Sequence, residues 1–75
     1  MTRTRAQVLC IQPARLAART RRRTEKIRAL LTEIALDWDA ADSAVAFDCD
    51  VLRDHMDALD GTIAEGMIQL REPFE

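Results

Sequence analysis

This chain of 75 residues has no tyrosine, one tryptophan, one histidine, one serine and two cysteines. Two thiols, Cys10 and Cys49, are too few for the disulfide framework that staples small secreted folds. No apolar run approaches the length of a membrane span. The longest near the start, Val8-Leu9-Cys10-Ile11, is followed within four residues by Arg15 and is too short for a signal core. The expectation is a cytoplasmic protein with free thiols and no membrane partner.

Catalytic constellations are equally scarce. Ser43, the only serine, is better placed as a helix cap than in a nucleophilic triad, and no phosphate-cradling glycine loop or paired-cysteine motif is present. His55 stands alone beside Met56, and Cys49 is six residues before it, off the spacing that two ligands on one helix face require. Asp48, Asp50 and Asp54 offer oxygens without the glycine-containing loop of a calcium site. No enzyme, metal or cofactor is expected.

What the chain does have is charge sorted into two blocks. Residues 1–28 carry nine Lys/Arg against one acid, a net of +8, and residues 29–75 carry two against twelve, a net of −10. Such a layout either meets a charged partner or folds back on itself.

Helix breakers are confined to Pro13, Gly61, Gly66 and Pro73. Pro13 suits the first turn of a helix. From there Ala17, Thr20, Thr24, Ile27, Leu31, Ile34 and Trp38 recur at alternating steps of 3 and 4. Val45, Cys49, Leu52, Met56, Leu59, Ile63, Gly66 and Leu70 do the same. These are heptad seams. The segment Asp37–Ser43 separates them, with Asp42, Ser43 or Asp39 as candidate N-caps. The carboxylates here also oppose the negative end of a first helix. The sequence therefore predicts an all-α hairpin, with a basic N-terminal arm over residues 1–12 and a helical domain over 13–75, its helices spanning about 14–38 and 43–72. One unbroken helix with a stutter near residue 41 is the alternative. Gly61 leaves a second choice open. The helix continues through it, or it ends there and Thr62-x-x-Glu65 caps a short last helix.

Folding back about residue 41 pairs positions whose numbers sum to about 82. Arg28 then falls near Asp54, Lys26 near Asp57 and Arg22 near Asp60. A second helix about 45 Å long exceeds what a compact domain of this size holds, with its radius of gyration of about 11 Å. A single core this small rarely suffices alone. The expectation is a homodimer, as a four-helix bundle or coiled coil, with Ile27, Leu31, Ile34, Trp38, Val45, Cys49, Leu52, Met56, Leu59, Ile63 and Leu70 forming the core and interface.

Two local resemblances accompany this reading. Leu52-Arg53-x-x-Met56-Asp57-x-Leu59-Asp60-x-x-Ile63 resembles the opening helix of the all-helical chorismate mutases over twelve residues. Only Arg53 maps to an active-site position there, and the pattern is also that of an ordinary amphipathic helix. The arm, with Arg3, Arg5 and Gln7 alternating with Thr4, Ala6 and Val8, is similar in its order of elements to ribbon–helix–helix DNA binders, which lay paired strands in the major groove. The long first helix, the missing glycine turn and the acidic second helix depart from that family.

The functional expectation is a non-enzymatic protein-interaction module, an adaptor, regulator or inhibitor of a larger protein. Asp48, Asp50, Asp54, Asp57 and Asp60 form a candidate acidic face for the partner. The alternative is nucleic-acid binding through Arg3, Arg5, Arg15, Arg19, Arg21, Arg22 and Arg23. The basic block has no aromatic residue on which single-stranded bases would stack.

Overall fold

The computed structural model describes residues 2–74 and contains three helices: α1 (Arg5–Val8), α2 (Pro13–Trp38) and α3 (Ser43–Arg71). Among the described residues there is no strand, only an isolated bridge between Thr4 and Pro73. Helices α2 and α3 run antiparallel along most of their length, and α1 packs against α3 at the open end of the hairpin.

Local chemistry explains each boundary. Pro13 occupies the first turn of α2, where its missing N–H leaves no bond unmade. The helix ends at Trp38, whose carbonyl accepts from both Ala41 N (3.0 Å) and Asp42 N (2.8 Å). Asp42 is extended, and its carboxylate accepts from Ala44 N at 2.9 Å to start α3. The chain therefore turns here rather than continuing as one helix.

Helix α3 passes through Gly61 and Gly66 without a break. Each glycine costs about 1 kcal/mol of helix propensity, which packing along the hairpin offsets. The Thr62 hydroxyl donates back to the Ala58 carbonyl (3.2 Å) instead of capping a new helix. The extra short helix lies at the other end of the chain, in the segment the sequence suggested as a strand. Thr4 and Gln7 form a reciprocal capping box, Thr4 N donating to Gln7 Oε1 at 2.9 Å and Gln7 N to Thr4 Oγ1 at 3.2 Å. At its far end Ile11 N donates to Ala6 O (2.9 Å) and Cys10 N to Gln7 O (3.2 Å), with Cys10 in the left-handed region at φ 57°. That is a Schellman closure with cysteine where glycine is usual. The ribbon–helix–helix comparison loses its strand as a result, because a capping box outweighs an alternation only a few residues long.

The molecule measures 60 × 17 × 12 Å with a radius of gyration of 17.2 Å, against about 11 Å for a compact domain of this length. Its least dimension is one helix diameter. A plate one helix thick has no interior. Only Ala6, Thr24, Cys49 and Met56 are buried among the described residues.

The cross-helix register differs from the expected pairing. Arg28 meets Asp57 (2.6 Å) and Asp60 (2.7 Å) rather than Asp54. Side chains lean toward the N-terminus of their own helix, so those on antiparallel neighbours meet where residue numbers sum to more than the backbone register implies. Lys26 and Arg22 make no ion pair with Asp57 or Asp60.

Candidate functional site

Each heptad seam consists of two rows of residues seven apart, and the hairpin treats the rows differently. Thr24 of α2 and Cys49 and Met56 of α3 are buried between the helices, with Ala17, Leu31, Ile63 and Leu70 half-buried beside them. The companion rows stay open. Ile27, Ile34 and Leu59 are each 43 % exposed and Leu52 51 %, while Thr20, Val45 and Gly66 of the same rows are half-buried; Trp38, last of the inward row of α2, is 47 % exposed at the turn end. In this hairpin one row of each seam is turned toward the other helix and the second row toward one broad face.

The open rows share one broad face. A groove of about 350 Å³ between the helices, near the open end, is lined by Leu16, Thr20, Ile63, Gly66 and Leu70. Thr20 and Gly66 therefore sit level on the same side of the plate. Ile27 and Ile34 follow Thr20 by seven and fourteen residues, and Leu59 and Leu52 precede Gly66 by the same steps. Positions seven apart rotate only about 20° around a helix, so all four continue that face. It is floored by small residues at the open end and raised by large ones toward the turn.

The opposite broad face carries the ion pairs. A second groove of about 350 Å³ is lined there by Arg21, Glu25, Arg28, Asp60 and Ala64. Arg28 bridges to Asp57 and Asp60, and Arg53 pairs with Asp50 and donates to Thr32 Oγ1 at 3.3 Å. The Arg28 guanidinium pKa is raised above its ordinary value, chiefly by its hydrogen bond to Asp60; desolvation opposes this, and attraction to Asp60 and the hydrogen bond and attraction to Asp57 add to the rise.

The narrow outer edge of α2 is basic. Arg15, Arg19, Arg22 and Lys26 are all exposed. Arg15, Arg22 and Lys26 stand two positions, or 200°, from the inward-facing Ala17, Thr24 and Arg28, so they point away from α3. None of these four is in an ion pair among the described residues. The fold consequently neutralises little of the basic block, because most of its charges face away from the acidic helix.

The arm places Arg3 and Arg5 at the open end. Arg5 N donates to Glu72 O (3.2 Å), Phe74 N donates to Arg3 O (2.8 Å), and the Arg5 guanidinium lies 5.5 Å from the centroid of the Phe74 ring. Ala6 is buried where α1 packs against α3.

The five aspartates of the candidate acidic face do not act as one group. Asp50, Asp57 and Asp60 are held by Arg53 and Arg28, while Asp48 and Asp54 remain exposed with no ion pair among the described residues. His55 is exposed, and Cys10 and Cys49 are free thiols, Cys49 buried. No group of three His, Cys, Asp or Glu side chains converges as a metal site among the described residues. No helix there is long and apolar enough to cross a membrane. The Thr20–Gly66 groove and the Arg53–Thr32 contact were not anticipated as features. The first was implicit in the pattern, since threonine and glycine occupy seam positions where Ile and Leu stand one heptad away.

No family model, curated protein or solved structure matches the chain.

Proposed function

We propose that the chain is a non-enzymatic helical interaction module that works as a homo-oligomer and presents charged ends to a larger protein. One observation carries this reading: Ile27, Ile34, Leu52 and Leu59 project from one broad face of the hairpin, each more than two-fifths exposed. A contiguous apolar face of that kind, backed by an ion-paired polar face, marks a surface that associates. Self-association leaves the outer edge of α2 and the aspartates about the turn free for a further partner. Solution mass and helicity, followed together over a wide concentration range, test the oligomer. Loss of helix on dilution ties folding to assembly. Turnover of a small metabolite that depends on Arg53 or His55 overturns the non-enzymatic part.

A specific observation favours a second reading, nucleic-acid binding. Arg15, Arg19, Arg22 and Lys26 form an outward stripe that α3 does not neutralise. Four phosphate contacts to a duplex predict an affinity falling with salt at a logarithmic slope of roughly −3.6. A mobility-shift experiment with DNA and RNA at low salt, on the chain and on a variant with the stripe changed to alanine, decides this. Absence of any complex removes the reading.

A further inference from the structure

We infer that the apolar broad face docks on the same face of a second copy run antiparallel, with Ile34 and Leu52 of each copy filling the groove at Thr20 and Gly66 of the other. This rests on the homo-oligomer reading above and specifies its geometry.

The area argument comes first. The chain exposes 5992 Å², whereas a compact protein of 8.5 kDa exposes about 4,700 Å². The excess of roughly 1,300 Å² is what each partner of a tightly associated homodimer typically buries. A second copy is therefore large enough to account for the missing burial.

Size complementarity selects the orientation. The face has three layers: Thr20 with Gly66, Ile27 with Leu59, and Ile34 with Leu52. They are spaced seven residues, or about 10 Å, apart. A two-fold axis lying between the two docked faces at the middle layer, and perpendicular to the helices, brings Ile27 and Leu59 against their own copies. It also sets the large outer layer of each chain on the small outer layer of the other. Trp38 lies eleven residues beyond Ile27 and Leu16 eleven before it, so the exposed indole falls level with the far end of the partner's groove. Running the copies parallel puts large on large and leaves two grooves of about 350 Å³ facing each other empty.

Charge selects the same orientation independently. The open end, residues 2–23 and 64–74, carries eight arginines against Glu65 and Glu72, a net of +6. The turn end, residues 29–54, carries seven acids against Arg53, a net of −6. Antiparallel docking lays each end over its opposite, and parallel docking lays like over like.

Gly66 supplies the test, because a Cβ built there meets nothing within 4 Å in the single chain and points into open space. Gly66→Leu fits the hairpin, improves helix propensity and fills the groove. Sedimentation of the full chain is expected to show a dimer, and Gly66→Leu to raise its dissociation constant by about 100-fold or more with helicity retained. In a Cys10→Ser background, mixing Thr20→Cys with Ile34→Cys under mild oxidation is expected to give predominantly the mixed disulfide. An undiminished dimer in Gly66→Leu, or disulfides mainly between identical variants, overturns this arrangement while leaving self-association standing. A wild-type chain that stays monomeric at every concentration overturns both.

Discussion

The Arg28 guanidinium lies 2.7 Å from the Asp60 carboxylate, across the seam between α2 and α3, and 2.6 Å from Asp57. One arginine thus holds two carboxylates one helical turn apart and ties the centre of the hairpin. Arg28→Met should lower the melting temperature modestly, by an amount that shrinks as salt is raised, because all three side chains are reached by solvent. Asp60→Asn on that background should add little, since the partner is already gone. The raised guanidinium pKa sets the sign of the pH effect. Its contribution is complete below the unfolded value and is lost only as pH climbs through the folded one, so the guanidinium itself introduces no pH dependence in the neutral range. Thermal melts in low and high salt check both expectations.

Met56 is one of the few side chains the hairpin buries. Met56→Ala should destabilise the fold by about 2 kcal/mol, near the low end for such truncations because the plate collapses easily around the gap. Thr24 offers a contrast. Its buried hydroxyl only donates to the carbonyl of Arg21 at 3.0 Å within its own helix. Thr24→Val keeps the shape and should be neutral or stabilising by up to about 1 kcal/mol. Urea titrations of the two variants measure the difference.

Cys10 sits at φ 57°, where a residue with a Cβ is strained and glycine is not. Cys10→Gly should stabilise the closure of α1 by about 1 kcal/mol, with part of the gain offset by the greater freedom of glycine in the unfolded chain. Hydrogen exchange at the Ile11 amide, which closes the motif, should slow accordingly.

Asp42 begins α3 with its carboxylate on the Ala44 amide. Asp42→Ala should cost about 1 kcal/mol. Asp42→Ser should recover most of it, and chemical denaturation of the pair distinguishes a lost cap from a lost charge.

Trp38 is the only tryptophan and is nearly half exposed at the turn end. In the antiparallel pair it is covered by the partner's open end. Its emission should shift to shorter wavelength as the chain is concentrated, and the shift should be absent in Gly66→Leu. A fluorescence dilution series reports this directly.

The two long helices were legible because their apolar positions recur with the period of a helix over many turns, from Ala17 to Trp38 and from Val45 to Leu70. The turn was legible from Asp42, a residue that caps well and continues a helix poorly. The pairing of Arg28 was displaced by one to two turns because the tilt of side chains along a helix is invisible to a numbering sum. The strand suggested by the alternation in the arm is a helical turn instead, because Thr4 and Gln7 satisfy a capping box as readily as a strand and α1 packs against α3.

Periodicity and charge order, both properties of the chain written out in a line, were enough to specify two amphipathic helices folded back on each other. Which half of each seam faces the other helix was decided only in three dimensions. A heptad repeat marks which stripe of a helix is apolar but not the rotation of that stripe about the axis relative to a neighbour, which packing sets. The outward turn of Arg15, Arg19, Arg22 and Lys26 follows from that same rotation: once Thr24 of α2 and Met56 of α3 are each turned into the seam between the helices, the opposite edge of α2 has nowhere to point but into water.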